Sequence, residues 1–227
     1  MMINKLLTKV NYRVGNGKRN KYIVIHYVGS LGGAEDNCRY FQGNYRGASA
    51  HYFVGHKGEI FQSVLDKNIS WHCGATTYKH PYCRNTNSIG IEMCCRKNSK
   101  GWYFEEETVK ATIELTKELM KKYNIPASNV IRHFDVTGKV CPEPYVRNSQ
   151  AWDSFKASLT ATNTAATGYV VRITAGTLNV RAGAGTGYKI NTTVKRGEAY
   201  TIVEEKNGWG RLKSGKGWIS LAYTEKI

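Results

Sequence analysis

The sequence lacks any long apolar run. No stretch of its 227 residues approaches the ~20 consecutive apolar residues that a membrane-spanning helix requires. Hydrophobic residues nevertheless make up 41% of the chain, with 15 tyrosines and 5 tryptophans, which is typical of a folded, soluble protein rather than a disordered one. We therefore expect one ordinary domain plus a small one, with no insertion into a membrane.

Acidic residues are scarce, with 17 Asp and Glu against 33 Lys and Arg, giving a formal charge of +16. Both parts of the chain contribute to this excess of basic residues, since residues 168–227 alone carry ten basic and four acidic side chains. This balance favours a polyanionic partner, either a nucleic acid, an acidic membrane surface or an anionic cell wall, although it also serves general solubility. No basic helix, paired zinc finger or stacked-aromatic motif is present, so we expect no nucleic-acid partner.

The chain also lacks paired C-x-x-C motifs and a visible export signal. Residues 1–21 are basic, but charged residues and asparagine interrupt them before an apolar signal core develops. The six cysteines are therefore predicted to be reduced thiols rather than a disulfide framework. A structural zinc finger is not expected, and any metal site must take its ligands from distant parts of the chain.

Strand and helix patterns alternate through the first 159 residues. This alternation predicts an α/β domain with a mixed central β-sheet flanked by helices. The strands are predicted at 22–27, 49–54, 59–63 and 88–95, and the helices at 34–43, 105–123 and around 152–159, with loops at 70–87 and 132–144.

Residues 160–168 are small and uncharged, as in a linker. Beyond them, short alternating segments recur about every ten residues and are separated by glycine turns, which predicts a small all-β barrel over 169–227. The predicted organisation is thus a domain at 1–159, a linker at 160–168 and a second domain at 169–227.

One segment combines several metal-binding residue types. His133 and Cys141 lie eight positions apart across a loop that contains glycine, so they could converge on one ion. His26, at the end of the first buried strand, is a candidate third ligand. Zinc accepts imidazole and thiolate in tetrahedral sites, and three protein ligands leave one position open, which is the catalytic arrangement. On spacing alone, a histidine at the end of a strand is more often a structural residue than a ligand.

Five pieces of the sequence, in order, give a more specific pattern. Together they resemble type 2 N-acetylmuramoyl-L-alanine amidases, a family that includes phage lysins and is related to animal peptidoglycan recognition proteins. The pieces are IVIHYVG (23–29), SAHYFVGHKGEIFQ (49–62), WHCG (71–74), NSIGIEM (87–93) and HFDVTGKVCP (133–142).

The resemblance implies a zinc-dependent enzyme that cuts the amide bond between N-acetylmuramic acid and the L-alanine of the stem peptide. It assigns His26, His133 and Cys141 as the zinc ligands, and Glu92 and Lys139 as the catalytic side chains. Some relatives carry a tyrosine where this sequence has Ala50, and that departure moves the acid–base duty to Glu92. The same resemblance puts Trp71 and His72 at the substrate groove.

Residues 169–225 resemble a bacterial Src-homology-3-like domain. The matching pieces are TLNVRAGAGTGYKI (177–190) and NGWGRLKSGKGWIS (207–220), with a KRGE turn between them. Such domains usually attach an enzyme to the wall, and the local positive charge would suit an anionic wall polymer. We expect a phage or prophage endolysin, made in the bacterial cytoplasm without a signal peptide and acting on the wall after release.

Three alternative functions, and two alternative roles for Asp135, remain open from the sequence. A related recognition protein could bind peptidoglycan without cutting it, although such proteins typically lack the cysteine ligand that Cys141 provides. A host autolysin could perform the same chemistry. Cys73 lies beside His72, so a Cys–His hydrolase is a further candidate. Asp135 could either orient a metal ligand or cap its own turn.

Overall fold

The computed structural model describes residues 1–160 and 168–227. The chain divides into two compact units, Met1–Ala161 and Thr162–Ile227, and each is described by itself. The predicted linker at 160–168 falls almost wholly outside the described residues and stays a prediction.

A six-stranded mixed sheet, counted over the described residues, organises the first unit, with strand order β1-β4-β3-β5-β2-β8. Strands β3 and β4 are antiparallel and the other neighbouring strands are parallel. A separate hairpin is formed by β6 and β7. The strands are β1 (Ile3–Lys5), β2 (Tyr22–Tyr27), β3 (Tyr52–Val54), β4 (Ile60–Gln62), β5 (Ser88–Met93), β6 (Arg96–Asn98), β7 (Gly101–Tyr103) and β8 (Val130–Arg132). The α-helices are α1 (Ala34–Gln42), α2 (Glu106–Tyr123), α3 (His133–Thr137), α4 (Glu143–Arg147) and α5 (Ser149–Thr160).

The long helix α2 packs one face into the main core of this unit. Leu115 and Leu119 are buried there against the apolar strands, together with residues from α5. Asn124, with a φ of 52°, ends the helix in the left-handed conformation that asparagine tolerates. The helices and strands confirm the predicted α/β architecture.

Several short elements were not predicted. The segment expected to be a loop at 132–144 contains α3 and the start of α4, and each of these helices has only five residues. One turn and a half is too short to show a 3.6-residue hydrophobic period, so a sequence pattern cannot reveal it. The strands at Ile3–Lys5, Arg96–Asn98 and Gly101–Tyr103 have three residues each, which is likewise too short to show an alternating hydrophobic pattern.

Among residues 168–227 of the second unit, the regular elements are all β-strands apart from a short 3-10 turn at Leu221–Tyr223. Its described strands form one antiparallel seven-stranded sheet with the order β11-β10-β14-β13-β12-β9-β15. They are β9 (Tyr169–Ile173), β10 (Thr177–Arg181), β11 (Ile190–Lys195), β12 (Ala199–Lys206), β13 (Trp209–Leu212), β14 (Trp218–Ser220) and β15 (Thr224–Lys226). An apolar core that includes Val180, Ile202 and Leu212 confirms the predicted all-β domain.

Within the described parts of the chain, no helix has the length and apolar character needed to cross a membrane.

Candidate metal and catalytic site

The site lies where three parallel strands end. His26 and Glu92 are paired across β2 and β5, each at the fifth position of its strand. Strand β8 lies on the other side of β2, and its last residue is followed directly by His133. Because the carboxyl ends of parallel strands meet at one edge of a sheet, the three side chains converge there, as is usual for sites in α/β folds.

Cys141 reaches the same place through a tight turn. Helix α3 runs from His133 to Thr137, and the following Gly138 has a φ of 84°, which is readily adopted only by glycine. The chain then turns back, and the Phe134 amide donates to the Cys141 carbonyl at 2.8 Å. The loop between His133 and Cys141 therefore brings these two residues together, although they are eight positions apart in the sequence.

The three predicted ligands form one cluster. A donor atom from each of His26, His133 and Cys141 lies within 4.8 Å of the others, and all three residues are buried. Cys141 Sγ is 3.7 Å from His26 Nδ1, and the two imidazole ring centres are 4.6 Å apart. Among the residues that the structure describes, this is the one such group of three or more potential ligands.

The electrostatics of the cluster suit a cation. Burial lowers the pKa of His26 well below its usual range and that of His133 to about 4, so both imidazoles are neutral and keep a lone pair. His133 Nδ1 is buried and has no hydrogen-bond partner among the described residues. Burial also raises the pKa of the Cys141 thiol to about 12, a cost that a bound cation would reverse. Two nitrogens and a sulfur at this separation fit zinc.

Glu92 and Lys139 lie at the edge of this cluster. Glu92 Oε1 is 3.9 Å from His26 Nδ1, while its Oε2 is buried without a partner among the described residues. Burial raises the pKa of Glu92 to about 8, and the positive charge of Lys139 partly opposes that rise. Glu92 is therefore poised to hold or release a proton near neutral pH, which is what a general acid–base needs.

A cavity of about 280 Å³ gives access to these groups. It is lined by all three predicted ligands and by Glu92, Lys139, Trp71 and His72. A second cavity, of about 710 Å³, shares His133, Lys139, Trp71 and His72 as lining residues and extends along the 74–77 loop. Trp71 is half-buried and lines both cavities, and its contact with substrate stays a prediction.

His72 lines both cavities, and its predicted contact with substrate stays a prediction. It is only 8% exposed, and its ring makes two hydrogen bonds. Nδ1 lies 3.0 Å from His26 Nε2, and Nε2 lies 3.1 Å from Ser88 Oγ. Sequence reasoning missed this link because 46 residues separate His26 from His72. In the sequence, only the WHCG motif at 71–74 indicates that the 70–87 segment contributes to the site.

Two open alternatives are resolved by contacts. Asp135 accepts hydrogen bonds from the Arg132 amide at 2.9 Å and from its guanidinium at 2.8 and 3.0 Å, so it caps its own turn. Cys73 is fully buried. A substrate carbonyl cannot reach its sulfur, which removes the geometric basis for a Cys–His nucleophile.

Comparison with known proteins gives two family matches. Residues 16–144 match the family described as N-acetylmuramoyl-L-alanine amidase, and residues 176–225 match the bacterial SH3 domain. The first match covers more than half of the chain and contains every residue of the cluster.

Individual relatives agree with these matches. A "Probable N-acetylmuramoyl-L-alanine amidase" of Bacillus licheniformis is 34% identical over 146 residues, which cover 60% of this chain and 40% of that protein. The solved structure of PlyL is 26% identical, with a TM-score of 0.60 over 72% of this chain and 100% of that one. A mutant endolysin from Bacillus subtilis is 30% identical, with a TM-score of 0.57 over 70% and 99% of the two chains. The chain spans about 40% of the length of the first curated relatives it matches.

Proposed function

Since the chain belongs to the N-acetylmuramoyl-L-alanine amidase family and carries a bacterial SH3 domain at residues 176–225, we propose that it hydrolyses bacterial peptidoglycan. The bond cut would be the amide between the lactyl group of N-acetylmuramic acid and the L-alanine of the stem peptide. The products would be a glycan strand with a free lactyl carboxylic acid and a peptide with a free L-alanine amino group.

The convergence of His26, His133 and Cys141 beside Glu92 carries this proposal. These residues come from β2, the β8–α3 junction, the loop after α3 and β5, yet they line one cavity. A protein that only bound peptidoglycan would have no need of a partly buried carboxyl group with a raised pKa next to three metal-binding side chains.

Zinc is the proposed cofactor, held by His26, His133 and Cys141. When bound, it would supply a Lewis acid that makes water more acidic and polarises a carbonyl group. Two neutral imidazoles and one thiolate would leave a net charge of about +1 at such a site. The three ligands would leave one position free for substrate or water.

Glu92 is the proposed general acid–base. Its carboxylate would take the proton of the attacking water and later pass it to the departing amine of L-alanine, so that the group returns to its starting state. Lys139, which is exposed and lines both cavities, would stabilise the oxyanion that forms as the amide carbon becomes tetrahedral. Trp71 would contact the substrate along the wider cavity.

The second unit would hold the enzyme on the wall. Its ten basic and four acidic residues favour an anionic wall polymer as the ligand. Because one similar structure is that of an endolysin, we propose a phage or prophage enzyme that is made in the bacterial cytoplasm and reaches the wall after release. A host autolysin would share the chemistry, and expression timed to phage induction would separate the two.

The decisive experiment is digestion of purified peptidoglycan with and without a chelator, followed by end-group analysis. We expect new L-alanine amino termini that disappear with the chelator and return with added zinc. New reducing sugar ends would overturn the assignment of the bond, and wall binding without cleavage would identify a recognition protein. Walls stripped of anionic polymers should bind the chain more weakly if the second unit has the proposed ligand.

A further inference from the structure

A chain of hydrogen bonds leads from the proposed metal site into the protein interior. It begins at His26 Nε2, passes through the ring of His72 to Ser88 Oγ, and ends on the Arg84 carbonyl. The successive distances are 3.0, 3.1 and 2.7 Å. His72 is 8% exposed and Ser88 is fully buried, so water does not compete for these contacts.

The direction of every bond in this chain is set at its inner end. The Arg84 carbonyl can only accept, so the single hydroxyl hydrogen of Ser88 points to it. Ser88 Oγ must then accept from His72, which places the N–H of the neutral His72 ring on Nε2. His72 Nδ1 is left as an acceptor, and His26 must donate to it from Nε2.

This direction determines which nitrogen of His26 is free. A neutral imidazole carries one hydrogen, so a donating Nε2 leaves Nδ1 with an unshared lone pair. Nδ1 is the atom that faces the other proposed site groups, at 3.7 Å from Cys141 Sγ and 3.9 Å from Glu92 Oε1. With the opposite direction, a hydrogen on Nδ1 would point at the metal position and block coordination.

The surrounding structure holds the ring of His72 in place. Its backbone amide and that of Cys73 both donate to Asn85 Oδ1, at 3.1 and 2.8 Å. The ring lies over Gly90 of β5, where an added Cβ would come within 2.5 Å of His72 Cγ. Gly90 therefore leaves the space that the ring occupies between β5 and the site.

We propose that His72 is a positioning residue which, anchored by Ser88, fixes the tautomer and orientation of His26 for metal binding. This inference rests on the proposed function, because it concerns the ion that the function requires. This role engages both ring nitrogens of His72. Hydrogen-bonded partners of metal-binding histidines commonly change metal affinity by about 10–100-fold when removed.

The test measures zinc affinity of the full chain by competition with a chromophoric chelator. His72→Leu and Ser88→Ala should each raise the Kd for zinc about 10–100-fold. His72→Asn should lose less, because the Asn Oδ1 can accept from His26 Nε2 in place of the imidazole nitrogen. Circular dichroism of each zinc-free variant checks that the chain has folded, and Ser88→Ala provides the test if His72→Leu does not fold.

Ser70→Ala is the matched control. Ser70 is also a fully buried serine, and its hydroxyl lies 2.7 Å from an imidazole nitrogen, that of His51, which is not one of the proposed ligands. It should keep the wild-type zinc affinity. Unchanged affinity in both His72→Leu and Ser88→Ala, or an equal loss in Ser70→Ala, would overturn the positioning role alone. A wild-type chain that binds no zinc would overturn both this role and the proposed cofactor.

Discussion

The two units of the chain bury different kinds of side chains. The first unit buries four histidines, at positions 26, 51, 72 and 133, together with several other polar groups. In the described residues of the second unit, 168–227, no polar or charged side chain is buried, and the core is made of Val, Ile and Leu. Buried polar groups cost free energy unless they are paired. The first unit carries that cost in part at the proposed metal site, whereas the core of the second unit is apolar.

Replacing a proposed metal ligand should have the largest effect, and it should abolish the function proposed for the first unit while sparing that of the second. Cys141→Ser takes the only sulfur from the proposed site, and we expect amidase activity to fall to background. Binding of the whole chain to intact walls should persist, because wall attachment is the role proposed for the second unit, whereas His26, His133 and Cys141 belong to the first. Assays of L-alanine amino termini and of wall sedimentation measure the two properties. Parallel loss of both would show that the units do not divide the function in this way.

Replacing the proposed acid–base should have the next largest effect. Glu92→Gln keeps the shape of the side chain but cannot transfer a proton, so we expect kcat to fall by about 10²–10⁴-fold. Zinc affinity should remain within a few-fold of wild type, since Glu92 is not a proposed ligand. Glu118→Gln, on the exposed face of α2, is the matched control and should keep full activity. A Glu92→Gln variant with near-normal kcat would remove Glu92 from the mechanism.

Acid should destabilise the first unit selectively. Burial lowers the pKa of His51 to about 3, against about 6.5 for an unfolded histidine. The unfolded chain therefore takes up a proton first as the pH falls. The stability that neutral His51 contributes is complete above about pH 6.5 and is lost as the pH falls towards 3, by an amount on the order of a few kcal/mol.

The second unit has no histidine among residues 168–227 and should not share that loss. Urea denaturation followed by two-dimensional NMR at pH 7 and pH 4 can follow amide signals of both units in one sample. Equal losses of unfolding free energy in the two units would contradict the assignment to buried histidine.

The smallest expected effects come from two glycine substitutions, one in the core of each unit. At Gly90 an added Cβ meets the ring of His72 at 2.5 Å, whereas at Gly210 it meets the ends of Leu221 and Ile202 at 2.7 and 2.9 Å. The aliphatic ends can move, but the ring is tied at both nitrogens. We expect Gly90→Ala to cost about 1–3 kcal/mol of unfolding free energy, and Gly210→Ala to cost less. Only Gly90→Ala should weaken zinc binding, as measured by chelator competition.

The sequence indicated the proposed ligands but not what supports them. His26, His133 and Cys141 stand within motifs whose order in the chain is distinctive, and the structure brings them together. The contact between His26 and His72 depends on how the long loop at 70–87 folds back over β5, and no local period encodes that path. Full burial of Cys73 and Cys83 in that segment also departs from the expected surface loop.

The two cysteines after β5 show that the end of a strand is also difficult to predict from the sequence. A strand over 88–95 predicts that Cys94 and Cys95 point to opposite faces of the sheet. The strand instead ends at Met93, and both cysteines are fully buried in the two-residue irregular segment that precedes β6. Strand ends depend on where the partner strand stops pairing, which is a tertiary property.

The pairing of His26 with Glu92 across two parallel strands has a consequence for how the proposed enzyme can diversify. Their separation is set by the hydrogen-bonded ladder between β2 and β5, not by the length of the chain that connects them. The intervening segments can gain or lose residues, and so reshape the walls of the cavity, while His26 and the proposed acid–base Glu92 keep their spacing. Substrate preference and the chemical step can then change independently within one scaffold.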